Sequence, residues 1–278
     1  MQRAIPIMFI AMSLIPAGDS AGKILTGSLG VAPVFVAWSR FAIGTLLVLP
    51  FLSPGSWALM RDGRLWLRAG TLAAGITCIQ TALQTEALAN VFAAFFIGPM
   101  FSYLLAALFL RERISLLRSA LILLGFLGVL LVVRPGLNTT STGGAGLLFA
   151  VAAGMFYGVF LTMSRWLSDI ASPLALTFTQ LAMSALMLLP LGLMNLPAAT
   201  VEVAGLATAS AAFSMLGNLL LLYAYRRAPA TRLAPLVYFQ LIAAVLLGLF
   251  LFNTLPDALT WAGLAVIITA GITSARLR

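Results

Sequence analysis

Apolar positions in this chain run together in stretches of about twenty residues, separated by short polar or proline- and glycine-marked breaks. Ten such runs are readable: roughly 5–23, 32–51, 65–85, 90–110, 116–133, 144–164, 172–193, 203–225, 233–252 and 258–275. A helix rises ~1.5 Å per residue, so about twenty apolar residues cross a ~30 Å hydrocarbon core. The short alternating segments of a barrel are absent, and backbone groups in lipid must be satisfied within each segment, which leaves helices. The pattern predicts an all-α membrane protein of ten transmembrane helices, with no stretch left for a soluble domain.

A second regularity lies over the first. Pro33, Arg40 and Pro50 are spaced by seven and then ten residues, and Pro173, Gln180 and Pro190 repeat those intervals 140 residues later (173 − 33). Ala42 and Ala182, Leu46 and Leu186, and Leu49 and Leu189 match between them. This is an internal duplication, read as a first five-helix repeat over 1–136 and a second over 143–278. Five crossings per copy turn the second copy over. Two inverted repeats are the architecture of alternating-access transporters, with substrate bound near the midplane between the copies.

Composition agrees and excludes alternatives. Hydrophobic residues make up 62% of the 278 and charged residues 8%, against ~25% charged in soluble domains. The net charge of +9 is explained by topology rather than by nucleic-acid binding. Arg3, the 52–68 loop with Arg61, Arg64 and Arg68, the 111–118 loop with Arg111, Arg113 and Arg118, Arg165, the 226–232 loop with Arg226, Arg227 and Arg232, and the tail with Arg276 and Arg278 all fall on one side, and only Lys23 and Arg134 on the other. The Lys/Arg excess marks the cytoplasmic side, so both termini are expected there, in a bacterial inner membrane. The first span, with Asp19 and Lys23 inside it, is read as a retained helix and not a cleaved signal peptide.

Histidine is absent and Cys78 is the one cysteine. No nucleophile stands beside a base, and no metal-ligand cluster or phosphate-cradling loop is visible, so neither an enzyme nor a cofactor is expected.

Several stretches together resemble a known family. They are Asp19-Ser20-Ala21-Gly22-Lys23 ending helix 1, Pro33 with Trp38-Ser39-Arg40-Phe41 in helix 2, Glu86-Ala87-Leu88-Ala89 before a helix 4 that contains Pro99, and Leu110-Arg111-Glu112-Arg113 before helix 5. With two five-helix halves, the chain resembles the drug/metabolite transporter superfamily, specifically its EamA-like family. The resemblance implies a small-metabolite carrier with a central cavity between helices 1–4 and 6–9, and helices 5 and 10 at the periphery. The halves differ where Asn253 and Gln240 stand, at an offset of 141, opposite Glu112 and Pro99.

Polar residues inside the membrane are costly and are functional candidates by default. Arg40 lies about 10 Å along its helix from Pro33, and Asp19 reaches a similar depth. Pairing lowers the cost of both charges. The two hold the charges of a zwitterionic or anionic substrate, or they form a structural clasp between helices 1 and 2. Pro16 and Gly18 permit a kink or break in helix 1. Thr77, Gln80, Thr81 and Gln84 share one face of helix 3, as do Ser210, Ser214 and Asn218 of helix 8, with Tyr225 further along. Helix 7 offers Thr177, Gln180 and Ser184. These stripes line a wet cavity or make interhelical hydrogen bonds. Phe92, Phe96, Pro99 and Tyr103 share a face of helix 4, helix 6 brings Phe156, Tyr157 and Phe160, and helix 9 brings Tyr238 and Phe239. Tyr103, Tyr157 and Tyr238 are the aromatic candidates for the pocket, because their hydroxyls lie away from the interfacial belt.

The expected substrate-binding set is Asp19, Arg40, Thr77, Gln80, Gln84, Phe96, Tyr103, Tyr157, Gln180, Asn218 and Tyr238. Asp19, Glu86 and Pro99 are the candidates for gating or coupling, and Glu112 reads as an interfacial ion pair. The expected function is export of a small polar metabolite, an amino acid or related compound. The alternatives are uptake of a larger cofactor-like molecule, a nucleotide derivative or vitamin, and a lipid-handling or accessory membrane subunit. With Asp19 paired to Arg40, facilitated or exchange transport is expected rather than proton coupling. Lipid and a small-molecule substrate, without nucleic acid, are the expected partners.

Overall fold

The computed structural model describes residues 4–109, 116–133, 145–167, 169–227 and 239–276. Tyr238, Glu112, Arg3, Arg111, Arg113, Arg134, Arg232 and Arg278 lie outside the described residues, as do the side chains of Arg118, Tyr225, Arg226, Arg227 and Arg276.

Among the described residues the chain is helical without a strand. α1 (Ala4–Lys23) continues through a π-helical turn, Ile24–Ser28, and ends at Gly30, whose φ of 64° belongs to the left-handed region that glycine enters at no steric cost. α2 (Pro33–Val48) and α8 (Pro173–Met194) both open on proline, which needs no partner for an N–H in a first helical turn. α3 (Gly63–Thr85) is capped by Asp62, whose carboxylate accepts from the backbone N–H of Arg64 at 2.9 Å. The remaining helices are α4 (Leu88–Phe95), α5 (Ile97–Phe109), α6 (Leu116–Val133), α7 (Ala145–Trp166), α9 (Val201–Arg227), α10 (Phe239–Phe252) and α11 (Ala258–Arg276).

Among the described residues, six stretches are long and apolar enough to cross a membrane, and three shorter apolar helices accompany them. Large apolar side chains point outward along these helices, Leu46, Leu108 and Phe250 among them at 67%, 73% and 78% exposure. That would be an aggregation surface in water, and it suits a lipid solvent. Inside, Leu83, Phe92 and Phe178 are wholly buried.

Two expectations are corrected. The run expected as one helix over 90–110 is two, α4 and α5, broken at Phe96. Pro99 has no N–H to give the carbonyl of Phe95, so the helix loses a bond there. The bare backbone at Gly98 then lies against Gly154 of α7: a Cβ on Gly98 would sit 2.6 Å from the Gly154 carbonyl oxygen. By contrast α1 passes through Pro16 unbroken. Finally Arg68, grouped above with loop charges, lies on α3 and is buried at 7% exposure.

The packing follows a pattern of exchange. α1 packs on α9 and α3 on α7; α3 packs on α8 and α2 on α9; α1 packs on α10, and α4 and α5 on α7. α2 meets α8, α4 meets α10, and α6 meets α11. α2 and α8 run antiparallel, because Trp38 packs at Gly192 while Gly44, further along α2, packs at Leu181, earlier on α8. α6 and α11 approach closely at Gly128 and Gly263, where a Cβ on either would fall within 2.9 Å of the other's carbonyl oxygen.

Candidate functional site

Four helices converge on Asp19. Arg40 of α2 donates through Nη1 to Asp19 Oδ1 of α1 and through Nη2 to Ser214 Oγ of α9. Gln80 of α3 donates through Nε2 to the same Asp19 oxygen at 3.1 Å. The side chains of Arg40 and Asp19 are only 7% and 4% exposed. Removing two charges from water is costly, and mutual attraction with extra hydrogen bonds offsets that cost. The helices come this close because α1 is bare on either side of Asp19. A Cβ on Gly18 would collide with Ser214 and stand 2.9 Å from the Ser210 carbonyl, and one on Gly22 would collide with the Gln80 amide. Ser210 Oγ donates to the Gly18 carbonyl at 2.7 Å and ties α9 to the same turn.

One atom of this centre is unpaired. Gln80 is wholly buried, yet its Oε1 has no hydrogen-bond donor. A buried acceptor without a donor is expensive.

A second polar cluster lies towards the other end of α3, between α3, α7 and α8. Arg40 is seven residues from the start of α2; Arg68 is five residues from the start of α3, which runs back the other way. Arg68 Nε donates to Ser164 Oγ of α7 at 2.8 Å, and Nη1 to the Leu176 carbonyl of α8 at 3.2 Å. The guanidinium lies 4.7 Å from the Phe160 ring centre, a cation–π distance. One turn along α8, Gln180 Nε2 donates to Ser184 Oγ at 3.0 Å and to the Ala69 carbonyl at 3.5 Å, leaving Gln180 Oε1 without a donor. The Tyr157 ring, 5.0 Å from Phe95 and 5.8 Å from Phe160, adds aromatic surface beside it.

The other expected residues divide. Thr77 and Thr81 donate to carbonyls of their own helix, at Ala73 and Thr77. Gln84 is exposed, so the helix-3 stripe does not act as one face: Gln80 enters the centre and Gln84 does not. Phe96 is buried at the helix break, and Pro99 and Tyr103 are half-buried after it. Asn218 is exposed and donates to the Ser214 carbonyl at 2.7 Å, bracing the turn that carries Ser214. Glu86 sits in the turn between α3 and α4, its side chain against Gly146 of α7.

Sequence reasoning left Lys23, Arg68 and Ser214 out of the expected set. Lys23 Nζ donates to the Leu83 and Glu86 carbonyls at 2.8 and 2.6 Å and stands 5.5 Å from the Phe252 ring centre, pinning the end of α1 to the end of α3. Its position inside an apolar run was the available signal. For Ser214 the signal was its place on a polar helix-8 stripe.

Comparison with known proteins gives a concordant picture. The EamA-like transporter family matches residues 3–134 and again 144–274. A pseudopaline exporter of Pseudomonas aeruginosa is 32% identical, over 87% of this chain and 86% of its own length. A riboflavin transporter of Brucella anthropi is 27% identical, over 87% and 88%. An S-adenosylmethionine uptake transporter of Rickettsia conorii is 25% identical, over 94% and 89%. A solved crystal structure, 17% identical, superposes with a TM-score of 0.62 over 99% of this chain and 96% of the other, a likeness of fold alone.

Proposed function

Because this chain belongs to the EamA-like transporter family, a multi-pass membrane transporter of the drug/metabolite type, we propose that it is a secondary carrier exporting a small polar metabolite, an amino acid or related compound, across a bacterial inner membrane. The single observation that carries this reading is the buried ion pair of Asp19 and Arg40, bonded to Gln80 and Ser214 across four helices. Charge inside a membrane protein is retained for function far more readily than for stability. The donors and acceptors gathered there suit a solute that carries both.

The proposed architecture is ten spans in two inverted repeats, 1–136 and 143–278, with both termini cytoplasmic. The two separate family matches support the duplication. The inversion is supported by the antiparallel course of α2 against α8 and by the exchange pattern of helix contacts. Rocking one repeat on the other would open the Arg40 and Arg68 clusters alternately to the two sides. With Asp19 committed to Arg40, the reading is exchange or facilitated transport.

Export is supported by the relative named as an exporter. A second reading, uptake of a larger cofactor-like metabolite, is favoured by the relatives named for riboflavin and S-adenosylmethionine. A solute screen in proteoliposomes, with and without a pH gradient, tests the reading. Flux of an amino acid that is lost in Arg40→Ala supports it. Flux of riboflavin or S-adenosylmethionine alone selects the second reading, and lipid scrambling without solute flux overturns both.

A further inference from the structure

The two buried arginines differ in one respect. Arg40 has its counter-charge in Asp19, whereas Arg68, equally buried at 7% exposure, has no carboxylate partner among the described residues. Its acceptors are a hydroxyl, a backbone carbonyl and an aromatic face. All are neutral, so the site carries a full positive charge. A buried charge that is hydrogen-bonded but not neutralised remains costly, and an arriving anion relieves the cost.

Gln180 supplies an independent observation. It is 4% exposed, and its amide nitrogen faces the Ala69 carbonyl, which accepts and cannot donate. That fixes the amide orientation and leaves Oε1 as the orphan acceptor. Leu176, whose carbonyl holds Arg68, and Gln180 are four residues apart on α8, hence on one face and about 6 Å apart along the axis. The carbonyl that holds the cation and the residue that bears the unpaired acceptor therefore stand about one helical turn apart on α8. That is the span between the carboxylate and ammonium of an α-amino acid with its hydrogen-bonding reach.

We propose that Arg68 and Gln180 form a second substrate station, in the membrane half opposite Asp19 and Arg40, that binds an amino-acid zwitterion: carboxylate on the Arg68 guanidinium, ammonium on Gln180 Oε1. Phe160 and Tyr157 supply the apolar wall for the side chain. This assignment rests on the carrier reading above and extends it. At the Arg40 station the protein provides both charges itself; at the Arg68 station the substrate provides the missing one.

The test is ligand-induced thermal stabilisation of the purified full-length chain in detergent, titrated with single L-α-amino acids and with the amines that lack their carboxylates. At least one amino acid is expected to raise the unfolding temperature, and its amine is not. Arg68→Gln is expected to raise the half-saturating concentration roughly tenfold to a hundredfold, the worth of one charge-assisted hydrogen bond. Gln180→Met gives a smaller increase, and Arg68→Lys keeps part of the affinity. Each variant is compared with its own ligand-free transition, so a merely structural role leaves the half-saturating concentration unmoved. If Arg68→Gln does not fold, Arg68→Lys and Gln180→Met carry the test. Half-saturation indifferent to these substitutions, or no amino acid stabilising the wild type, overturns the station. Parallel flux measurements separate the two ideas. Arg68-dependent stabilisation without any solute flux sinks the carrier reading and keeps the site, and flux with Arg68-independent stabilisation does the reverse.

Discussion

Arg40 and Ser214 are 174 residues apart in the chain and share a hydrogen bond inside the protein. It joins α2 to α9 at the point where Asp19 already holds the same guanidinium. Ser214→Ala removes the hydroxyl and leaves Nη2 buried without that acceptor. Loss of a hydrogen bond to a charged group costs about 1.5–3 kcal/mol. The expected result is a lower unfolding temperature in detergent, with Ser214→Thr retaining most of the wild-type value.

Removing one charge of the central pair is worse than removing both. Asp19→Asn leaves Arg40 buried without its counter-charge, a loss of about 3–5 kcal/mol. The double substitution Asp19→Asn with Arg40→Gln is expected to recover part of that loss. A double-mutant cycle on denaturation midpoints measures the coupling, and strict additivity would remove the ion pair from this account.

Close backbone approach at the α4–α5 break gives a steric prediction. Gly98→Ala places a Cβ 2.6 Å from the Gly154 carbonyl oxygen, a backbone atom that cannot swing away. The expected cost is about 1–3 kcal/mol. Gly205 on α9 has open space at its Cβ position. There, Gly205→Ala is expected to gain about 0.5–1 kcal/mol from the helix backbone. Thermal melts of the two variants, moving in opposite directions, check the contrast.

Glu86 lies in the turn outside the spans, and its carboxyl is pushed above the ordinary range by burial, with Lys23 pulling the other way. A raised folded-state value favours the protonated form. This stabilising contribution is therefore full below the ordinary value of 4.5 and is lost as pH rises through the raised one. Glu86→Gln mimics the protonated form. It is expected to flatten the pH dependence of the unfolding temperature above pH 4.5, with the largest gain over wild type at the upper end of that window.

Much of this was legible in the sequence, and the reasons are physical. Helix depth follows from the rise per residue, so Asp19 and Arg40 could be set at one level, and the structure joins them. Ser214 could be placed on a polar face, but which helix it meets depends on how α1, α2 and α9 pack. Arg68 was misread because a charge near the start of a helix is indistinguishable in sequence from a loop charge. Only the three-dimensional packing brings Ser164, Leu176 and Phe160 around it. Prolines were ambiguous in the same way. Pro16 sits inside an unbroken helix, whereas Pro99 follows a break. What distinguishes them is the neighbour: Gly154 lies against the freed carbonyl of Phe95, whereas α1 stays packed along α9 past Pro16.

On the proposed function, the Asp19–Arg40 centre belongs to a carrier of small polar metabolites. The decisive measurement is counterflow in proteoliposomes, with labelled amino acids outside and an excess of the same unlabelled solute inside. Saturable uptake of at least one such solute is expected, stimulated by the internal pool and abolished in a folded Arg40→Gln variant, with Arg64→Gln at the surface transporting normally. Uptake by Arg40→Gln equal to wild type, or no counterflow of any small polar solute by the wild-type protein, would rule the carrier role of this centre out.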